Sequence, residues 1–181
     1  IEAVIRHARL GAVERWLRPA KRWADLGCHP GYALLKSHPG LAERAWGLDL
    51  SVADAKDGPV ELMRRDITQP LPFEDASLDL VTALAVLEHI DTPRQVLAEV
   101  RRCLAPGGRL IVTTPSHWGI LIHDKMLKLG LVKDVEPDEH RDFGMTPALI
   151  AGWAREAGLE VEHCGSFELG INVLLVARRP P

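Results

Sequence analysis

Three strand-like runs early in the chain each end at a glycine or an acidic residue, with helical spacing between them. "KRWADL" at 21–26 leads into Gly27, "RAWGLDL" at 44–50 carries Asp49 near its end, and "VELMRR" at 60–65 is followed by Asp66. "LDLVTAL" at 78–84 reads as a buried fourth strand and "RLIVTTP" at 109–115 as a fifth. Residues 31–38 keep a helical period. So do 92–104, where Val96, Leu97, Val100 and Leu104 point inward between Thr92-Pro93 and the stop signal "APGG". Parallel neighbours need a crossover of roughly a dozen residues, usually a helix. The alternation therefore predicts an α/β three-layer sandwich, a mostly parallel sheet with helices on both faces. Residues 2–17 read as a helix with Val4, Ile5, Ala8, Ala12, Val13 and Trp16 on one face. Thr146-Pro147 opens another helix ending at Ala157-Gly158, and 159–164 and 171–178 are two last strands joined by "GSFELG". No repeat or composition break divides the chain, so 1–181 is expected to be one domain with a less regular insertion at about 116–145.

A length of 181 residues suffices for one sizeable core. A net charge of −3 gives no global field favouring nucleic acid, and no nucleic-acid partner is expected. The first 22 residues depart from this balance: Arg6, Arg9, Arg15, Arg18, Lys21 and Arg22 face only Glu2 and Glu14. That run reads either as a solvated helix face or as a weak phosphate or membrane contact. The three cysteines, Cys28, Cys103 and Cys164, show no pairing pattern and no CxxC unit. They point to a reducing, cytoplasmic setting and no thiolate zinc site. No apolar run approaches the roughly 20 residues that span a bilayer, and no secretory leader is expected.

In an open α/β sheet, ligands bind beyond the carboxyl ends of the strands. Asp25, Asp49 and Asp66 gather at that edge, which suits one polar, partly cationic ligand. Gly27 and Gly31 allow a sharp turn and a close backbone approach, and the helix after them is expected to offer free N–H groups. Asp49 lies 22 residues after Gly27, a spacing that suits a carboxylate accepting both hydroxyls of a ribose. Asp66 is placed to accept from an adenine amino group, with Ile67 packing on the ring. Asp25 could order the loop or hold an ammonium group. The fingerprint G-x-G-x-x-G fails, because its second and third positions here are His29 and Tyr32. No Gly-Lys-Ser/Thr follows, which excludes a P-loop. A cofactor without phosphates fits better.

The order "DLGCHPG", "GLDLS", "LPFEDASLDLVTALAVLEHI", "VLAEVRRCLAPGGRLIV" and "EHRDFGMTPALIAGWAREAGLEV" resembles the class I S-adenosylmethionine-dependent methyltransferases. Within them it resembles the broad group that includes the quinone-biosynthesis O-methyltransferases, over about residues 21–178. The resemblance implies a Rossmann-like sandwich with a seven-stranded sheet whose last strand is antiparallel. It implies S-adenosyl-L-methionine as cofactor and a small-molecule acceptor, for a monomer or homodimer. By position, Gly27, Cys28, His29 and Gly31 would lie against the methionine part and Asp25 beside them. Asp49 would bind the ribose, Leu50 would touch adenine, Asp66 and Ile67 would flank it, and Ala83 and Leu84 would lie beneath the sulfonium. Two positions depart from the pattern. His29 replaces the middle glycine of G-x-G-x-G, and Ala85 stands where many relatives carry glutamate before Glu88 and His89. A binder without catalysis is the alternative those departures raise.

Methyl transfer is an in-line displacement in which the enzyme mainly aligns and desolvates the reactants. A less acidic acceptor hydroxyl needs a general base, most often histidine. The candidates are His89, His117 and His140. Glu88, His89 and His140 make too thin a ligand set for a metal, and none is expected. Trp118, Leu121, Ile122, Met126 and Leu129 read either as a core stripe or as the roof over an amphiphilic acceptor.

Overall fold

The computed structural model describes residues 9–128 and 145–181. Residues 9–14 are helical (α1) and lead to β1 (Ala20–Leu26). The chain continues through α2 (Ala33–Ser37), β2 (Ala42–Asp49), β3 (Ala55–Asp57), β4 (Val60–Arg64) and β5 (Leu78–Leu84). A 3₁₀ turn at Leu87–His89 precedes α3 (Pro93–Cys103), β6 (Leu104–Pro115) and α4 (His117–Lys128). Then come α5 (Pro147–Glu156), β7 (Glu160–Phe167), a second 3₁₀ turn at Glu168–Gly170 and β8 (Asn172–Arg178).

The described strands form one sheet in the order β3-β4-β2-β1-β5-β6-β8-β7. β4, β2, β1, β5 and β6 run parallel, so their carboxyl ends share one edge. β8 is antiparallel to both β6 and β7. The Rossmann-like sandwich and its antiparallel last strand are as expected, but the sheet has eight strands where seven were expected. The addition is β3, antiparallel to β4. Asp57 pairs with Val60 across Gly58-Pro59, and Gly58 takes φ +57°. An Asp-Gly pair is a strong short-range hairpin signal.

"APGG" follows the end of α3 at Cys103, as its reading as a helix stop expects, but it belongs to the next strand. β6 already starts at Leu104, and its register against β5 jumps from Leu78↔Leu104 to Leu80↔Arg109. The glycines form a bulge that carries the strand across this jump. A Cβ on Gly108 would come within 2.8 Å of the Ala105 carbonyl oxygen and 2.9 Å of that of Leu78, so the close approach needs glycine.

Alternate strand residues feed two cores. Ala24, Trp46, Val81 and Leu110 pack with α3 and α5 on one face. Trp23, Ala45, Leu80 and Ile111 pack with α1 and α2 on the other. Val13 in α1 and Leu17 just after it mark the buried side, while Val4, Ile5 and Ala8 lie outside the described residues. Arg15 and Arg18 of the basic run donate to the carbonyls of Ala12, Arg15 and Leu17, closing the end of α1. Arg9 turns toward the sheet and reaches Asn172 Oδ1 at 3.5 Å. No described helix is long and apolar enough to cross a membrane.

The loop from 69 to 77 is pinned to α3 by Arg102. Its guanidinium donates to Asp75 at 2.6 Å, to the Phe73 carbonyl at 2.9 Å and to Glu99 at 2.6 and 2.9 Å. Glu99 in turn accepts the Leu71 N–H at 2.8 Å. Replacing Arg102 with alanine should cost about 2 kcal/mol, read as a lower urea midpoint, because charge-assisted bonds to both backbone and carboxylates disappear together. An unchanged midpoint would mean the loop is held by its apolar residues alone.

Candidate cofactor and acceptor site

The loop after β1 is shaped by three left-handed residues, Gly27 at φ +70°, His29 at φ +58° and Tyr32 at φ +30°. Glycine is required at 27 for a second reason. A Cβ there would sit 2.5 Å from Val86 Cγ2, so the chain after β5 presses directly on the loop. His29 donates its N–H to Asp49 Oδ2 at 2.9 Å, and its ring folds back so that Nδ1 accepts the Gly31 N–H at 3.3 Å. Gly27 and Cys28 donate to the Leu48 carbonyl, and Tyr32 to that of His29. The N–H groups of the loop itself are therefore mostly engaged within it, which leaves the first turn of α2 as the expected source of free ones. α2 is only five residues long and has no side-chain cap. A phosphate would find few donors here, whereas a thioether or sulfonium needs space rather than donors.

Asp49 is held by three donors. Besides His29, the Ser51 N–H and Oγ donate to Oδ1 at 2.8 and 2.5 Å. Burial pushes its carboxyl up, but the hydrogen bonds from Ser51 and His29 outweigh it and hold the group below the usual carboxylate range. A carboxylate has about four acceptor positions, so Oδ2 retains one, and the Ser51 hydroxyl can turn to release a second. That set fits a ribose diol. Leu50 beside it is 60% exposed and presents an apolar surface at the same edge. Asp66 is exposed, and the Thr68 hydroxyl and N–H occupy its Oδ1 at 2.7 and 2.9 Å, holding its carboxyl below the usual range. The Gln69 side chain adds a weaker hydrogen bond to the same carboxylate. Ile67 is buried in the core, so Leu50 offers the larger apolar face.

Asp25 lies beneath the loop. The Trp23 indole donates to Thr82 Oγ1 at 2.9 Å, and Thr82 donates to Asp25 Oδ1 at 2.6 Å, tying β1 to β5. Burial pushes the Asp25 carboxyl up to about 7, against the Thr82 hydrogen bond and helped by Asp49. Cys28 points into a small apolar cluster with Val52 and Leu62. Burial, with Asp25 and Asp49 adding to it, pushes its thiol up to about 12, so it is not a nucleophile near neutral pH. Gly31 is exposed, Ala83 is buried within β5, and Leu84 is half-buried at the strand end. Ala85 follows at φ +55°.

On the acceptor side, His89 is exposed at the end of the first 3₁₀ turn. His117 opens α4, exposed, with its ring edge-on to Trp118. His140, Leu129 and the side chain of Met126 lie outside the described residues. Trp118 is 68% exposed, and Leu121 and Ile122 are also exposed, so that part of the stripe is not core. Among the described residues, no three His, Cys, Asp or Glu side chains gather as a metal site. Sequence spacing had not pointed to Val86 against Gly27, nor to Thr82. The Ser51 contact had a signal, since aspartate readily takes hydrogen bonds from the residue two positions on.

Asp25→Asn tests the buried carboxyl. Asparagine can still accept from Thr82 but cannot ionise. The folded carboxyl titrates at about 7 rather than the ordinary 3.8, so its stabilising contribution is full below about 4 and is lost as pH rises through 7. Wild type should therefore lose stability relative to Asp25→Asn between pH 5 and pH 8, followed by urea midpoints. Parallel profiles for the two proteins would refute a raised carboxyl.

Residues 24–112 match the family described as "Methyltransferase domain". The chain is 28% identical to a ubiquinone biosynthesis O-methyltransferase of Xanthomonas axonopodis pv. citri over 167 residues, covering 85% of this chain and 69% of that protein. It is 38% identical over 117 residues to an uncharacterized 37.1 kDa protein in transposon TN4556 of Streptomyces fradiae, covering 59% of this chain and 33% of that protein. The chain thus spans about a third of the transposon protein and about two thirds of the O-methyltransferase. Two solved structures share the fold. One is from a complex between the Haloferax volcanii Trm112 methyltransferase activator and a methyltransferase, at TM-score 0.76, 21% identity, and 97% and 91% coverage. The other is an S-adenosylmethionine-dependent methyltransferase from Mesorhizobium loti, at TM-score 0.72, 20% identity, and 95% and 98% coverage. The sheet order and the matched residues agree: residues 24–112 match a methyltransferase domain, and the whole chain shares its fold with class I methyltransferases that use S-adenosyl-L-methionine.

Proposed function

We propose that this protein transfers a methyl group from S-adenosyl-L-methionine to a small, amphiphilic acceptor. The observation that carries the reading is Asp49, an ionised carboxylate fixed by His29 and Ser51 at the end of β2 with acceptor capacity left for a ribose diol. In this reading Gly27 to Gly31 contact the methionine part through backbone. Cys28 contributes no side chain, and Asp25 orders the loop from beneath. Leu50 packs on adenine, Asp66 accepts from its amino group, and Ile67 contributes an edge. Ala83 and Leu84 lie beneath the sulfonium, which supplies the electrophilic methyl. The chain's own task is alignment and exclusion of water. Val86 against Gly27 brings the end of β5 and the cofactor loop together, so the acceptor would enter beside the 3₁₀ turn that carries His89. His89, three residues past Val86 on the acceptor side, is the first candidate for a base. His117, and His140 beyond the described residues, are the others.

An amphiphilic acceptor is supported by an apolar rim. Trp118, Leu121 and Ile122 on α4 are exposed, and Leu169 is fully exposed on the second 3₁₀ turn. Gly119 packs so closely on the Ile171 carbonyl that α4 and this turn form one surface.

S-adenosylhomocysteine should raise Tm by a few degrees at about 100-fold excess over its Kd, and NAD should not. Asp49→Ala should abolish the shift while remaining folded by circular dichroism. No shift in wild type would sink the reading. A shift without methyl transfer to any of a panel of phenols and amphiphilic hydroxyl compounds would leave a cofactor-binding protein without catalysis.

A further inference from the structure

A cavity of about 400 Å³ lies between the first 3₁₀ turn, the start of α3 and α5. Its walls include Leu87, Glu88, Ile90, Arg94, Met145 and Trp153. The volume is that of a pocket for a small organic molecule, and the lining is mainly apolar. Its position is set by the contact already described. Val86 touches Gly27 of the cofactor loop, and the next two residues, Leu87 and Glu88, are cavity wall.

One polar group there has no partner. Trp153 Nε1 is buried and has no hydrogen-bond acceptor among the described residues. Buried indole N–H groups are ordinarily paired, because an unpaired one costs about 1–3 kcal/mol. The ring is held rather than loose. The Arg94 guanidinium lies over it at 5.6 Å, and Arg94 pairs with Glu156 at 3.4 Å. The charges at the wall add a second selection. Glu88 and Asp91 line the cavity with partners of their own, and the lining cation Arg94 is engaged with Glu156, so the described lining offers an anion no unpaired cation and a neutral guest is favoured.

We propose that this cavity is the ring pocket of the methyl acceptor, and that Trp153 Nε1 selects a neutral aromatic acceptor by donating to a carbonyl-type oxygen on it. The proposal rests on the methyltransferase reading for its role, but binding can be measured without catalysis. The probes are 4-hydroxyacetophenone and 4-ethylphenol, which differ in the carbonyl, with 4-hydroxybenzoate as the anionic counterpart. Binding is followed by ligand-observed NMR in the presence of S-adenosylhomocysteine.

Wild type should bind the ketone about tenfold tighter than 4-ethylphenol, the value of one buried hydrogen bond, and should bind the carboxylate more weakly than the ketone. In Trp153→Phe the preference for the ketone should fall to about one, with binding of 4-ethylphenol retained. Met145→Trp, which fills the cavity, should abolish binding of both neutral probes. Both variants should keep the wild-type S-adenosylhomocysteine shift in Tm, which reports the cofactor edge separately. Absence of binding at millimolar probe, a ketone preference unchanged in Trp153→Phe, or binding retained in Met145→Trp would overturn the proposal. Tightest binding by 4-hydroxybenzoate would overturn the neutral selection. A missing S-adenosylhomocysteine shift in wild type would instead count against the methyltransferase reading.

Discussion

The hydrogen bond from the His29 N–H to the Asp49 carboxylate joins the loop after β1 to the end of β2, and the shape of the cofactor edge follows from it. A non-glycine residue in the left-handed region carries a cost of about 1–2 kcal/mol, lower for histidine, asparagine and aspartate. Here that cost is offset on both sides of the residue. Its N–H is taken by Asp49 and its ring accepts from Gly31. The side chain that replaces the usual middle glycine therefore serves the loop's own conformation. The same bond fixes the Asp49 carboxylate, so this carboxylate and the loop after β1 are positioned as one unit, as the proposed cofactor contacts require. Behind them the Trp23–Thr82–Asp25 chain links β1 to β5 through buried hydrogen bonds. Asp25 is thereby buried beneath the loop and tied to β5.

Much of this architecture was legible in the residues. The parallel strands and the two helical layers follow from period and spacing, because burying both faces of a sheet imposes those patterns, while the antiparallel last strand was implied by the family resemblance. β5 runs from Leu78 to Leu84, the bounds read from its apolar run. Where the reading failed, a local device had overridden a general rule. "APGG" follows the end of α3 as a helix stop should, yet its glycines also let the chain bulge and join β5 early. Thr92 resembles a helix cap but its side chain makes no capping bond, whereas Thr146 accepts from the Leu149 N–H at 3.2 Å. Asp57-Gly58 was a hairpin signal hidden in a polar stretch.

The candidate site could be read from the sequence as a set of positions, but not as a set of contacts. Asp49 and the glycines could be chosen because strand ends and positive-φ turns leave marks in sequence. Val86 against Gly27 could not, since that contact joins segments 59 residues apart and depends on how β1 and β5 are paired. The basic N-terminal run also resolved only in three dimensions. Arg15 and Arg18 cap their own helix, while Arg9 turns inward to Asn172. Its charge is thus used at short range, which a count of arginines cannot reveal.

The small hairpin strand β3 has an effect on how the molecule meets its copies. Without it, β4 would present an open row of backbone donors and acceptors at the margin of the sheet. With it, the margin is only three exposed residues, Ala55, Lys56 and Asp57, two of them charged. Short, charged margins are poor templates for strand addition from another chain. An insertion of a few residues at a turn thus protects the sheet on that side against self-association.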